Sequence, residues 1–454
     1  MALHLTVISP EIYTYGAMVI AGALERQGFN IDLVKVSNEN DYSKIEPSDI
    51  YCIGLYSSIH ILRYGNFVKT LKKKFGSPVI VGGPSTIEPK IVFKHLPDVD
   101  VVVVGEGEET IKEVVDKFHI GQFSPSNLSG VDGIAYRDGE EIVKTKNRKQ
   151  TDLSERPPLK VPPDISDQNV RGANIYIESM RGCKGICTFC QVPQLFGWEI
   201  RSRPLERIVE EAKMLVERGV KKIAVSGGTT TYYGFRQKID EDSFTTLLRM
   251  LSEVVGSRNL SIPDIRVDAV TEKILKAIRN YTVGWVFYGI ESGSQQILNR
   301  MHKNIDLDQI RSAVYEAKRS GVKVAGSFIT AYPGEGEEDH KQTVELICEL
   351  QLLDHFVSIA EPIPGTPLYY EAAKLPLEQN QLFIKSEGKL GKRYGLTVAE
   401  DRALDLMVTG YASRPYPISS EGKIFENFLA EAKKQGAEIK EITLMAKETS
   451  DLRG

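Results

Sequence analysis

The sequence predicts an α/β chain: an N-terminal doubly wound, Rossmann-like domain, then a partial (β/α)6 barrel, then a mixed C-terminal extension. Three observations predict it. Short β-branched apolar runs alternate with amphipathic helical stretches, the alternation stops at a proline-rich segment and resumes beyond it, and 454 residues suffice for two or three cores. Buried strands separated by helices imply a parallel sheet covered on both faces, because a parallel crossover needs a connection long enough to hold a helix.

In the first domain, residues 1–150, Leu5-Thr6-Val7-Ile8 precedes a helical stretch from Ala17 to Gln27. Strands follow at Ile31-Asp32-Leu33-Val34, Ile50 to Leu55, Pro78 to Gly83 and Val99 to Gly105, with helices over Tyr64 to Phe75 and from Glu108. Ligands of such sheets bind beyond the strand carboxyl ends. The loops Ser9 to Gly16, Tyr56 to His60, Gly82 to Thr86 and Gly105 to Glu108 are therefore the candidate site. Gly133 to Tyr136 and Glu141 to Val143, turned by Arg137-Asp138-Gly139, predict a closing hairpin. Lys72-Lys73-Lys74 falls at a helix end, where cations oppose the dipole, and is read as a solvated terminus.

Residues 151–171 form the linker, since Arg156-Pro157-Pro158-Leu159-Lys160-Val161-Pro162-Pro163 can continue neither a helix nor a central strand. The barrel spans 172–369, with strands at Asn174, Lys222, Ile262, Gly284, Val322 and His355 and helices near 204–219, 243–255, 271–280, 306–321 and 337–353. In residues 370–454 the pattern weakens into helical pieces, among them Lys423 to Gln435 with Ile424, Phe425, Phe428 and Leu429 on one face; this extension is expected to face the substrate. Cys52 inside a strand and Cys348 beside Val344 and Ile347 are read as core thiols.

Cys183, Cys187 and Cys190 lie within eight residues, directly after the first barrel strand. Three thiolates on a glycine-containing loop can hold three irons of a [4Fe-4S] cluster and leave the fourth open to a substrate. Zinc would call for a fourth Cys or His close by, and His119 and His302 are distant in sequence. Hydrophobic content of 41% and charged content of 26% are those of a soluble protein, no apolar run reaches the length of a membrane span, and Met1-Ala2-Leu3-His4 leads into a strand without a basic leader. With free thiols, this predicts a cytoplasmic location. The net charge of -4 and the lack of a basic module argue against nucleic acid.

The cysteine run is similar to the Cys-x-x-x-Cys-x-x-Cys signature of radical S-adenosylmethionine (SAM) enzymes. Ser226-Gly227-Gly228-Thr229, Gly289-Ile290-Glu291-Ser292-Gly293, Tyr332-Pro333-Gly334-Glu335 and Pro362-Ile363-Pro364-Gly365-Thr366-Pro367 match in chain order after later strands. The resemblance implies SAM chelated to the open iron and contacts at Phe189, Gly227, Gly228, Thr229, Glu291 and Ser327; Thr229 stands where many members carry an acidic residue. The bare glycines let the SAM methionine moiety approach the backbone, and the acceptor-only Glu291 suits ribose hydroxyls.

The first domain resembles the cobalamin-binding domain that precedes the barrel in one branch of this superfamily. Val81 to Thr86 and Val104 to Thr110 carry the likeness. It implies cobalamin contacts at Tyr13, Tyr56, Ser57, Ser58, Gly82, Gly83, Pro84, Ser85, Gly105, Glu106, Gly107 and Glu108. The Asp-x-His-x-x-Gly motif that supplies histidine to cobalt elsewhere is missing, so the lower face is expected against Tyr56, Ser57, Ser58 or His60. Radical SAM methylthiotransferases need three further cysteines in this domain, and the chain has one there.

Ser9 to Met18 resembles a methanogen group that C-methylates a glutamine of methyl-coenzyme M reductase. The resemblance implies C-methylation of an unactivated carbon in a peptide or protein: a 5'-deoxyadenosyl radical abstracts hydrogen, methylcobalamin gives the methyl group, and an external electron donor supplies reducing equivalents. The alternatives are a radical cyclase or rearrangement enzyme, or a non-catalytic iron-sulfur or cobalamin sensor.

Overall fold

The computed structural model describes residues 3–416 and 422–451. Met1 and Ala2 of the opening run, and 417–421 and 452–454 of the extension, lie outside the described residues. The chain forms two compact units. One runs to Glu178 and takes in Gln194–Gly197 and Arg201–Ala224; the other takes in Ser179–Pro193, Trp198–Ile200 and the chain from Val225 onward.

The first unit is built on a seven-stranded sheet. Its strands are β1 (His4–Pro10), β2 (Asn30–Val36), β3 (Ile50–Gly54), β4 (Val79–Gly82), β5 (Val101–Val103), β6 (Ile134–Asp138) and β7 (Glu141–Lys144), in the spatial order β2-β1-β3-β4-β5-β6-β7. The first five are parallel, and the hairpin β6-β7 adds antiparallel strands at one edge. Valine and isoleucine dominate the central strands because both faces are covered: Leu5, Val7, Ile50, Ile80, Val101 and Val103 share one core with Ala21 and Leu24 of the helix Tyr15–Arg26 and Val114 of the helix Glu108–His119. Strand order reverses between β1 and β3, so a crevice opens past their carboxyl ends. The lysine triplet ends the helix Gly65–Phe75, where Lys72 pairs with Asp100 at 2.8 Å and Gly76 closes the turn at φ 73°.

Of the expected barrel strands, Ile175–Glu178 falls in the first unit and Ile223–Ser226 lies at the division. The second unit holds a parallel sheet of Ile265–Arg266, Trp285–Glu291, Lys323–Thr330 and Asp354–Ile359. The strand expected at Ile262 is broken: Leu260–Ser261 and Ile265–Arg266 are separate pieces, because Pro263 has no N–H for a ladder and Asp264 adopts φ 64°.

The extension departs from the expected pieces. Ile424–Asp451 is one helix of 28 residues, where Lys423 to Gln435 was expected. Gln435 accepts from Ile359 N at 3.0 Å and donates to Val357 O at 3.2 Å, so this helix satisfies the open edge of the last strand. Helix Val398–Ala412 packs so closely on that strand that a Cβ at Gly410 would lie 2.6 Å from the His355 ring. Cys348 is exposed, contrary to its reading as a core thiol. On helix Glu337–Leu350 the buried stripe is Thr343, Leu346, Ile347 and Leu350, and a residue one step past Ile347 is rotated by about 100° off it. Cys52 is buried in β3. Among the described residues no helix is long and apolar enough to cross a membrane.

Candidate active site and ligand-binding loops

The cysteine loop is fastened to the second unit by bonds on both sides of the thiols. Thr188 N donates to Met301 O at 2.9 Å, Leu368 N donates to Thr188 O at 2.9 Å, the Thr188 and Tyr332 hydroxyls meet at 2.6 Å, and Gln191 Nε2 donates to Pro364 O at 2.8 Å. The motifs at 332–335 and 362–367 therefore act as anchors of the loop. Cys183 and Cys187 are buried and Cys190 is half-buried. Burial pushes the Cys190 thiol up to about 12; Cys187 is raised by the same cause, against the pull of Lys303 and Arg266. Buried thiols of this kind become thiolates when a metal replaces the proton.

The fit to a cluster rests on the space among the sulfurs. A Cβ at Gly185 would lie 3.5 Å from both Cys183 Sγ and Cys187 Sγ and 3.1 Å from Arg266 Nη1, so glycine keeps the space between these two sulfurs and the guanidinium uncrowded. Gly227 and Gly228, at φ 148° and 50°, back onto the loop: added Cβ atoms would sit 2.7 Å from Met180 O and 2.6 Å from Gly182 O. Thr229 beside them is buried. Among the described residues no three His, Cys, Asp or Glu groups converge on a single-ion site. Three thiols on one short loop, two of them flanking bare Gly185, are a donor set that suits an iron-sulfur core.

Glu291 closes the strand Trp285–Glu291 at a register shift, with φ 70°. Lys303 Nζ, itself buried, donates to Glu291 Oε1 at 2.6 Å and Ser327 Oγ donates to Oε2 at 3.1 Å, so Glu291 and Ser327 come together. Burial alone would lower the Lys303 ammonium, but Glu291 and Cys187 hold it above its ordinary value. The ammonium also stands 5.8 Å from the Phe189 ring centroid. A Cβ at Gly289 would meet Glu291 Oε1 at 2.6 Å and Lys303 Nζ at 2.7 Å; glycine there lets the pair fold over the strand.

Sequence reasoning missed two cations. Lys303 is turned inward by a tight turn in which His302 and Asn304 adopt φ 49° and 54°. Arg266 Nη1 lies 3.6 Å from Cys187 Sγ, with Nε and Nη2 on Asp268 at 2.8 and 2.9 Å and Nη2 also on Lys303 O at 2.7 Å. The alternation Arg266-x-Asp268 at the end of a strand was the available signal; nothing near Lys303 in sequence announced it.

In the first unit the expected ligand residues line the strand carboxyl ends. Gly83, at φ 105°, lies so near β3 that a Cβ would be 2.7 Å from Leu55 O, whereas Gly105, at φ 90°, faces open space. Gly82 ends β4, and Pro84 and Ser85 begin the short helix Pro84–Ile87. Tyr13 is held by its backbone, its N–H donating to Gln168 Oε1 at 2.7 Å. Tyr56 donates to Glu11 Oε2 at 2.9 Å, and burial, then this bond, raises its phenol. Ser57 and Ser58 follow, and Ser58 is buried. His60 stacks edge-on between Tyr56 and Tyr64, Nε2 is 3.8 Å from Glu11, and the buried Nδ1 has no partner; desolvation lowers its pKa. Gly107 and the buried Glu108 start the helix Glu108–His119. Glu106 is engaged otherwise, accepting from Thr151 N at 3.0 Å and pairing with Arg201. Past the carboxyl end of β5 the bare Gly105 turn, with nothing facing it, leaves room for a large ligand over this crevice.

Residues 177–347 match the Radical SAM superfamily, and residues 3–115 match the B12 binding domain. A Methanocaldococcus jannaschii protein provisionally named a methylthiotransferase is 44% identical over 97% of this chain and 95% of its own length. An uncharacterised methyltransferase of Pyrococcus horikoshii is 30% identical over 64% of this chain and 62% of its own. Among solved structures, the radical SAM methyltransferase TsrM from Kitasatospora setae, with cobalamin and a [4Fe-4S] cluster bound, aligns over 99% of this chain and 100% of that one, at TM-score 0.67 and 14% identity. The cobalamin-dependent radical enzyme OxsB aligns over 96% of this chain and 71% of that one, at TM-score 0.68 and 15% identity. At such identities the likeness is one of fold.

Proposed function

The chain belongs to the radical SAM superfamily, with an N-terminal B12-binding domain, and from that premise we propose that it is a C-methyltransferase acting on an unactivated carbon of a peptide or protein. It is an enzyme whose cofactors are a [4Fe-4S] cluster, SAM and cobalamin. Bound together, these supply one-electron cleavage of a sulfonium, hydrogen abstraction and a transferable methyl group. Cys183, Cys187 and Cys190 would hold the cluster. Gly227, Gly228 and Thr229 would take the SAM methionine moiety, Phe189 would lie against its adenine, and Glu291, steadied by Lys303 and Ser327, would accept ribose hydroxyls. The turns at Gly83 and Gly105, with Tyr13, Tyr56, Ser57, Ser58 and His60, would hold cobalamin. An external low-potential donor provides the electron.

Cysteine number is the observation that carries methyl rather than methylthio transfer. Beyond the three loop cysteines the chain has Cys52, a strand thiol whose pKa burial pushes up to about 12, and Cys348, exposed on a helix. No second trio exists to hold the additional cluster that sulfur insertion requires. The opening segment Ser9 to Met18 supports a narrower reading, with the Cα of a glutamine in methyl-coenzyme M reductase as target.

The test uses anaerobically reconstituted enzyme, a strong reductant, SAM labelled in its methyl group, and a peptide spanning that glutamine. The expected product carries one labelled methyl group on the Cα, with 5'-deoxyadenosine formed. A peptide of unchanged mass alongside 5'-deoxyadenosine would favour rearrangement chemistry, and a methylthio increment would refute methyl transfer. Absence of 5'-deoxyadenosine would leave a sensor.

A further inference from the structure

We propose that Arg266 is a redox-positioning residue: its guanidinium donates a hydrogen bond to the Cys187 sulfur and makes the cluster easier to reduce. Arg266 is buried and its fork is fixed by three hydrogen bonds to two partners. Asp268 takes Nε and Nη2 in a two-point pair, at 2.8 and 2.9 Å, and the Lys303 carbonyl takes Nη2 again at 2.7 Å. A planar fork so held cannot rotate, and Nη1 is left directed at Cys187 Sγ, 3.6 Å away. The bare Gly185 permits the approach, since a Cβ there would lie 3.1 Å from Nη1.

Reduction moves one electron from the external donor into the cluster, with no proton transferred. It adds negative charge to a core already surrounded by thiolates, so an N–H aimed at a ligand sulfur stabilises the reduced form more than the oxidised form. Hydrogen bonds to sulfur and local charge are the protein's means of setting such potentials. Lys303 also carries positive charge near Cys187, and its hydrogen bond goes to Glu291 Oε1 at 2.6 Å. Arg266 is the cation whose N–H is directed at a ligand sulfur, at 3.6 Å, and Asp268 limits its charge without removing that N–H. The inference rests on the cofactor set and not on the proposed substrate, so a wrong substrate would leave the potential untouched.

The experiment is a redox titration of the reconstituted full chain, read from the paramagnetic signal of the reduced cluster. At the midpoint of the native protein, R266Q with full iron and sulfide is expected to show a reduced-to-oxidised ratio about tenfold lower, which for a one-electron couple is 59 mV. R266K, which keeps a cation, is expected to recover part of that ratio. An unchanged ratio in fully loaded R266Q overturns the proposal. A protein that fails to load is bypassed by labelling native chain with 15N in the guanidino groups of arginine. Pulsed measurements should then detect 15N coupling in the reduced cluster, and its absence overturns the proposal as well.

Discussion

Replacing Lys303 by methionine should expose how the Glu291 site is held. At 2.6 Å, and with both side chains buried, the ion pair attracts by about 6 kcal/mol at an effective dielectric constant near 20. Desolvation offsets much of that in the intact pair, but removing one partner leaves the other charge buried, at a cost of about 3–5 kcal/mol. With roughly 2–4 °C per kcal/mol for a unit of this size, Lys303→Met should lower the melting temperature of cluster-free protein by roughly 6–20 °C. Glu291→Gln should cost a similar amount, because it strands the ammonium. The double variant buries neither charge and should melt well above the sum of the two losses. The assay is differential scanning calorimetry of all four proteins in one reducing buffer. If the double variant shows the simple sum of the single losses, the two groups are not coupled and the account of this site is wrong.

Two further perturbations probe other parts of the molecule. His355 is half-buried near Arg414 with both ring nitrogens shielded, and burial first, then that cation, lowers its pKa from 6.5 to about 4. The folded state therefore binds fewer protons than the unfolded chain between these values: the contribution, on the order of 3 kcal/mol, is intact above pH 6.5 and is lost as pH falls towards 4. Urea midpoints at pH 7 and 5 should differ by more in the native protein than in His355→Phe; equal pH sensitivity would disprove the assignment. Gly228→Ala puts a Cβ 2.6 Å from Gly182 O at φ 50°, and should displace the cysteine loop. Iron and sulfide per chain after anaerobic reconstitution should drop severalfold with the circular dichroism spectrum retained, and wild-type content would contradict it.

What the sequence made legible was local. Strands of β-branched residues and helices with a periodic apolar face announce themselves over a few residues, and the cysteine spacing names its chemistry within eight. The Cys348 error arose from judging a helix face by neighbours, when one position rotates a side chain off the stripe. The broken third barrel strand shows a proline overriding an apolar run. Contacts distant in sequence were invisible: Arg266 reaches a sulfur 79 residues away, and Gln435 caps a strand 76 residues before it. Glu106 was legible as a residue after a strand, but not as the partner of Arg201, 95 positions on.

Left-handed backbone occurs around both candidate sites, on glycines and on residues that carry side chains. In the second unit Gly227 and Gly228 take positive φ beside the cysteine loop, and side-chain-bearing positions do so as well: Glu291, His302, Asn304 and Ala331, at φ 70°, 49°, 54° and 57°. Each costs of order 1–3 kcal/mol that a glycine would avoid. At Glu291, and on both sides of Lys303, that cost accompanies a carboxylate and an ammonium turned inward, and the buried cluster of Ile297, Met301, Tyr332 and Leu368 lies nearby. Along the crevice of the first unit, Gly83 and Gly105 take the positive-φ places at no such cost and leave the backbone bare. Glu11, at φ 58°, is the exception in that crevice, and it is the residue whose carboxylate meets Tyr56 and faces His60. At Glu291 and Glu11 the strained backbone therefore carries a carboxylate with defined partners, while the glycines at 83, 105, 227 and 228 leave backbone bare.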